Sequence, residues 1–313
     1  MAKPVLSIIV VSYNTASLIP DCLKSVFNDK GLQNIPFEII VNDNASTDNS
    51  IVVLKKYLSA SGRKNIKLIV NSKNRGFAQA NNQGLKIARG NYILLLNPDT
   101  LILHSSISQA LNWLCSHPQA SLCTAQLLNQ NKTIQASGGF FPNLLNTFTW
   151  STGLDDLPFV NKLIKPVHPH TPDFYTKDKF YLNNHTQDWI TGAFMLIRAS
   201  VIKKTGLMDP NYFMYGEELE WCYRIKKKYP QTQCWYLIGP QIIHIGGASS
   251  TSAYPIQKEY QGILAFFKKH KNPVQYQMVK IMLKINTALR ALFYLLANKL
   301  KSFKIYQQAC SQL

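Results

Sequence analysis

Four short apolar runs in the first hundred residues, separated by three stretches with helical spacing, constrain this chain more than any other feature. Residues 5–11 are apolar almost throughout, as expected of a strand buried on both faces of a parallel sheet. Residues 18–27 repeat apolar positions every three or four places and predict a helix. Residues 37–41, 66–70 and 92–96 predict three more strands, with helices expected over about 47–57 and 77–88. This β-α-β-α-β-α-β order predicts an α/β fold, a mostly parallel sheet flanked by helices on both faces. Ligands bind such sheets beyond the carboxyl ends of the strands. Each of those ends is polar here: Ser12-Tyr13-Asn14, Asp43-Asn44, residues 71–75, and Asn97-Pro98-Asp99. One polar strand end means little, but four in succession point to a site.

The chain has 313 residues, of which 46% are hydrophobic, enough to bury a sizeable core and to exclude global disorder. Its 34 Lys and Arg stand against 16 Asp and Glu, a net charge of +18 that asks for an anionic partner. Half of that excess lies in residues 256–313, where ten basic residues accompany a single acid, Glu259. The six cysteines form no CxxC pair, and their spacing suits neither a zinc site nor a disulfide framework, so reduced thiols in a cytoplasmic protein are expected. The N-terminus runs directly into an apolar strand, and no signal peptide is expected. The longest uncharged apolar stretch of the tail, 291–298, is too short to span a bilayer. Between 127 and 188, scattered Gly and Pro with frequent aromatics predict long ordered loops.

Five segments carry the residue types that chemistry needs. Asp43 to Asp48 follows a strand and opens a helix; Asp43 can accept hydrogen bonds from a ribose or base edge, and the same segment suits an Asx turn with a helix cap. Arg75-Gly76 sits near a helix start, where Gly76 lets a ligand approach the backbone and Arg75 offers a planar donor fork to phosphate or base; taken alone, the segment suits a solvated arginine on a turn somewhat better. At the fourth strand tip, Asp99 can hold Mg²⁺ or Mn²⁺ while a diphosphate supplies further oxygens, or can simply close a Pro-Asp turn. Glu217, Glu218 and Glu220 crowd a helix start; adjacent carboxylates repel, which raises one of them toward general-base duty, although an acidic first turn also suits the helix dipole. His244 follows an apolar strand and could complete a metal site.

Taken in order and spacing, the segments 7–14, 43–48, 74–84, 91–100, 192–198, 217–224 and 244–249 resemble family 2 glycosyltransferases of the GT-A fold, over roughly residues 5–255. Asn97-Pro98-Asp99 at the metal motif resembles the rhamnosyltransferase branch. The resemblance implies that Tyr13, Asn14, Asp43, Asn44, Arg75, Gly76 and Asn97 bind the donor, a dTDP- or UDP-sugar. It implies that Asp99 and His244 hold a divalent metal, Mn²⁺ or Mg²⁺, and that Glu218 deprotonates the acceptor hydroxyl, with Glu217 as its neighbour and second candidate. Asn97 stands where a full Asp-x-Asp has its first acid, and Glu217-Glu218 stands where the family often has Glu-Asp. The chain lacks the Gln-x-x-Arg-Trp motif of the processive synthases, so single-sugar addition with inversion is expected. The expected sugar is L-rhamnose, with galactofuranose or N-acetylglucosamine as alternatives, and the expected acceptor is lipid-linked or a nascent surface glycan. A non-catalytic nucleotide-sugar or glycan-binding protein of the same fold is the competing reading.

The catalytic domain is expected over 1–255 and a basic helical tail over 256–313. Within the tail, polar or small residues recur along 280–301 opposite a broad apolar face that includes Met282, Ile285, Leu289 and Leu296. This amphipathic basic helix is expected to lie on an anionic membrane surface, at the cytoplasmic face, although packing on the catalytic domain or pairing with a second copy would use the same pattern. No nucleic-acid-binding module is recognisable, and no nucleic-acid partner is expected.

Overall fold

The computed structural model of the chain describes residues 4–172, 179–246 and 254–313. In chain order the elements are β1 (Leu6–Ser12), α1 (Ile19–Phe27), β2 (Phe37–Asp43), α2 (Ser50–Ser61), β3 (Ile66–Val70), α3 (Gly76–Ile87), β4 (Tyr92–Leu96), β5 (Thr100–Leu103), α4 (Ser106–Ser116), β6 (Ala120–Leu128) and β7 (Ile134–Gln135). Then follow α5 (Leu144–Thr152), α6 (Pro158–Leu163), β8 (His185–Gln187), β9 (Phe194–Arg198), α7 (Ala199–Thr205), α8 (Glu217–Lys228), β10 (Gln233–His244), α9 (Tyr254–His270), α10 (Pro273–Leu296) and α11 (Leu300–Gln312). The chain divides into two compact units, one of Met1–Gly139, His170–Phe213 and Glu217–Ser249, the other of Phe140–Pro169, Met214–Gly216 and Ser250–Leu313.

The first unit holds the sheet. Its strand order is β3-β2-β1-β4-β9-β6-β10-β5, with β7 beside β6 and β8 beside β10. From β3 to β4 all pairings are parallel, and every residue of β1 is buried, which is why that strand reads as one apolar run. Beyond β4 antiparallel pairings enter: β9 runs antiparallel to β4 and β6, β10 parallel to β6, and β5 antiparallel to β10. The expected parallel order ends where β9 enters from the strand-tip side, with no crossover helix to carry the chain back to the opposite edge. Helix α1 buries Ile19, Cys22, Leu23 and Val26, the stripe expected of a helix covering one face. Helix α3 packs so close to β1 that a Cβ on Gly84 would lie 2.6 Å from Ile9 Cγ2.

Register places the polar tips side by side. Ser12 pairs with Asp43, Asp43 with Val70, and Val10 with Leu96, so residues 12–14, 43–44, 71 and 97–99 share one edge. The stretch 127–188, expected as loops, contains regular structure: the end of β6, then β7, α5, α6 and β8. Its polar helices were hidden because α5 carries Asn, Thr and Ser on its buried side, a pattern that does not announce a helix. The aromatic pair Phe174 and Tyr175 lies outside the described residues.

The second unit is helical. Trp150 on α5 meets Tyr260 on α9 edge-on at 5.2 Å, and Phe266, Phe267, Val279 and Leu283 are fully buried. The single helix expected over 280–301 is two. Asn298 takes a left-handed conformation (φ 55°) and the Lys299 N–H bonds back to Tyr294 O at 2.8 Å, ending α10. Helix α11 then folds back along α10, with Tyr306 stacked on Tyr294 and Cys310 reaching Lys284 O.

Candidate active site

The strand tips are held in register by a network of side-chain amides. Asn42 Nδ2 donates to Ala80 O at 2.8 Å and to Gln83 Oε1 at 2.6 Å, and Asn71 Nδ2 donates to Asn42 Oδ1 at 3.0 Å and Asn44 Oδ1 at 3.1 Å. Asn44 Nδ2 donates to Asn74 Oδ1 at 2.8 Å, while its Oδ1 accepts from the Arg75 N–H at 3.0 Å. Both ends of the Asn44 amide are therefore engaged in shaping the 74–76 turn. Asn14 is engaged in the same way: its Oδ1 accepts from the N–H groups of Thr47 and Asp48 at 2.8 and 3.3 Å. The buried Asp43 accepts from the Ser46 N–H at 3.0 Å and the Ser46 hydroxyl at 2.6 Å, which fixes its carboxylate at the tip of β2. Tyr13, next to Ser12 at the tip of β1, is half-buried.

Gly76 shows why its position takes no side chain. Its φ is +78°, and a Cβ there would sit 2.3 Å from the Phe213 carbonyl oxygen. The next N–H, of Phe77, donates to that same carbonyl at 2.7 Å. Asn82 adds a two-way clamp on Met208, donating to its O at 2.8 Å and accepting from its N at 3.0 Å. Helix α3 thus fixes the loop that leads into α8. Arg75 caps the N-terminal end of α3, and its buried Nε has no hydrogen-bond partner among the described residues.

The acidic cluster separates into distinct roles. Glu220 is fully buried and holds Arg224 Nε at 2.8 and 2.9 Å, while the Arg224 terminal nitrogens donate to Thr205 O and Leu207 O. That acid is committed to tying α8 to the end of α7. Glu218 is half-buried, and its Oε1 accepts from the Gly192 N–H at 3.0 Å. Glu217 is buried, and its Oε2 has no partner among the described residues. Burial first, and then the neighbouring Glu218 charge, pushes the Glu217 carboxyl well above the usual carboxylate range. Burial also raises Glu218, but the Gly192 N–H works in the opposite direction. The two acids therefore stand in different surroundings: Glu218 accepts a backbone hydrogen bond, whereas Glu217 Oε2 has no partner among the described residues.

The backbone of residues 192–193 connects this acid to the fourth strand tip. Gly192 binds Glu218, and the next carbonyl, of Ala193, accepts from the Asn97 N–H at 3.1 Å. A Cβ on Gly192 would lie 2.8 Å from the Phe77 ring and 2.9 Å from Glu218 Oε1. Asn97 Nδ2 in turn lies 3.2 Å from His244 Nε2, and Asp99 Oδ1 lies 3.4 Å from that same nitrogen. β10 brings His244 there by pairing it with Thr100.

Gln135, which no motif singled out, orients the histidine. Its Nε2 donates to Asn129 Oδ1 and to the His244 carbonyl, so its Oε1 faces His244 Nδ1 at 2.5 Å. Nδ1 therefore carries the proton and Nε2 offers a lone pair. That nitrogen lies 3.2 Å from Asn97 Nδ2 and 3.4 Å from Asp99 Oδ1, and the Nδ1 contact to Gln135 is of the outer-sphere kind that metal-binding histidines also use. Among the described residues no group of three or more His, Cys, Asp or Glu could hold a metal. The end of the last motif, Gly247-Ala248-Ser249, lies outside the described residues.

The chain is similar to known proteins along most of its length. Residues 7–205 match the model of the glycosyl transferase family 2. An uncharacterized glycosyltransferase of Haemophilus influenzae is 34% identical over 114 residues, covering 36% of this chain and 44% of that protein, so the match spans less than half of that relative. The low-salt glycan biosynthesis hexosyltransferase Agl10 of Haloferax volcanii is 24% identical over 92% of this chain and 85% of its own length. Among solved structures, the mannosyltransferase PcManGT from Pyrobaculum calidifontis, in complex with GDP-Man and Mn²⁺, superposes with a TM-score of 0.56 at 15% identity, covering all of this chain and 84% of that one. The fold is that of the GT-A transferases. With the family model spanning well over half of the sequence, and with the strand tips carrying the residues described above, the chain is a member of glycosyl transferase family 2.

Proposed function

We propose that the chain moves one sugar from a nucleotide-diphosphate donor to an acceptor hydroxyl, inverting the anomeric carbon in a single displacement. The observation that carries this reading is the unequal acid pair: Glu217 buried with its Oε2 unpartnered among the described residues, Glu218 half-buried and held by the Gly192 N–H. Glu218 takes the proton from the acceptor hydroxyl as its oxygen bonds to the anomeric carbon; the bond to the diphosphate breaks and the electron pair leaves with it. Arg75, at the positive end of α3, adds a cation for the departing diphosphate. Asp99 and His244 would hold Mn²⁺ or Mg²⁺, which supplies Lewis-acid stabilisation of the leaving group when bound. Asp43 and Tyr13 are the nucleoside contacts of this reading. Asn14 and Asn44, by their hydrogen bonds, act as supports for the donor-binding loops.

The Asn97-Pro98-Asp99 motif supports L-rhamnose as the sugar and a dTDP donor, with galactofuranose and N-acetylglucosamine next. The acceptor is a lipid-linked or nascent surface glycan on the cytoplasmic face of a membrane, to which one residue is added; the naming of the Haloferax relative for glycan biosynthesis supports that class. A screen of nucleotide sugars for hydrolysis and transfer, with and without Mn²⁺, tests the proposal. Tight donor binding with no turnover of any sugar would overturn it in favour of a binding protein.

A further inference from the structure

The helical unit is built inside out along one side. Helix α10 buries Val279, Leu283, Asn286, Thr287 and Ala291, two of them polar. Its exposed residues are more apolar: Met278, Ile281, Ile285, Leu289, Leu292 and Leu296 are each more than half exposed. At 3.6 residues per turn those six fall within an arc of about 80°, roughly opposite the buried face. Helix α5 is inverted in the same sense. It buries Asn146, Thr147, Thr149 and Ser151 and exposes Leu145 and Phe148. The buried Asn286 of α10 donates to Ser151 of α5 at 2.6 Å, so polar atoms of the two helices meet inside while apolar side chains face outward. α6 continues the pattern with Phe159 at 62% and Leu163 at 83% exposure.

A water-facing surface does not select this arrangement, because isolated apolar side chains are ordinary but a continuous helical stripe is not. The helix is not a crossing segment: among the described residues no helix is long and apolar enough to cross a membrane. Charge selects the occupant. Residues 250–313 hold ten basic side chains, and their one acid, Glu259, is paired with His168 at 2.8 Å. Two copies meeting through this side would bring two strongly positive surfaces together, whereas an anionic lipid surface complements both the charge and the apolar stripe. The lysines 284, 299 and 301 are exposed and can keep their ammonium groups at headgroup level while the stripe enters the acyl boundary.

We propose that α10 lies in the plane of an anionic leaflet with its 278–296 stripe inserted, and that the exposed residues of α5 and α6, outside the basic tail, insert beside it. This goes beyond the sugar-transfer reading and does not depend on it. The test uses the full chain and sedimentation with vesicles of phosphatidylcholine and phosphatidylglycerol in a two-to-one ratio, against phosphatidylcholine alone. Leu289→Glu and Leu163→Glu, both at exposed positions, are each expected to weaken binding by about tenfold or more, the scale of replacing one seated leucine by a charge. Lys227→Gln, which lowers the net charge by one on α8 as each leucine variant does, is the control and is expected to bind nearly as the parent does. Light scattering without lipid accompanies the series. The proposal is overturned if Leu163→Glu and Leu289→Glu sediment like the parent, or if the parent is a lipid-free dimer that Leu289→Glu converts to monomer. Donor hydrolysis, read on the same samples, reports on the sugar-transfer reading separately.

Discussion

Replacing Glu218 by Gln isolates the proton-accepting role. The amide oxygen can still accept the Gly192 N–H that now bonds Oε1 at 3.0 Å, so the side chain keeps its place. The atom that replaces Oε2 cannot take a proton. Loss of a general base lowers turnover by on the order of a hundred- to ten-thousand-fold, or about 2.7–5.5 kcal/mol at 1.36 kcal/mol per factor of ten. Donor affinity should not move, since a base acts in the transition state. Glu217→Gln is the informative partner, because Glu217 is buried and lacks the Gly192 N–H contact of Glu218, and it should lose only a few-fold in rate. It should also alter stability. Burial raises the Glu217 carboxyl above the ordinary carboxylate value, so the native chain binds more protons than the unfolded one. The associated stability is complete below that value and is lost as pH rises through the raised one. Glu217→Gln removes that loss, and its melting temperature should gain on the parent as pH rises from the ordinary carboxylate range toward neutral. Single-turnover transfer and isothermal calorimetry on both variants provide the readout. A Glu218→Gln enzyme that transfers near the parent rate refutes the division of roles and moves the base to Glu217.

Three further outcomes are expected. Asp99→Ala should leave the fold intact but remove most of the Mn²⁺-dependent gain in UDP or dTDP affinity; unchanged calorimetric titrations would remove Asp99 from the metal site. Gly76→Ala forces a Cβ to within 2.3 Å of the Phe213 carbonyl at φ +78°, and should cost stability by roughly 1–3 kcal/mol of backbone strain as well as donor affinity, read by urea unfolding and by nucleotide titration. Glu220→Ala leaves Arg224 without its buried carboxylate and should destabilise by about 3–5 kcal/mol, visible as a large fall in urea midpoint at every pH at which the protein is folded.

The sequence pattern located β1 to β4 and their helices because buried parallel strands and amphipathic helices leave opposite periodicities. The antiparallel entry of β9 was not legible, since a strand's direction is written in the path of its connections and not in its residues. At the site, Asp43, Arg75, Asp99 and Glu218 stood out as charged residues at strand or helix ends. Gln135 did not, because a neutral amide on a two-residue strand resembles any loop residue until His244 is seen against it. Glu220 stood out for the wrong reason: three acids read as one cluster, while the fold assigns Glu220 to Arg224. Helix α5 was missed because its buried side is polar, the reverse of the pattern by which a helix is recognised.

The amide network beneath the strand tips has a consequence for how the site responds to its medium. Asn42, Asn44, Asn71, Asn74 and Gln83 bind one another and the backbone with no ionisable atom among them. Neither acid nor salt can loosen such a lattice by neutralising or screening it. The cradle that shapes the Arg75–Gly76 turn is electrostatically silent, while the groups around it are charged. The scaffold therefore contributes a constant background to any ionic-strength or pH profile of this site.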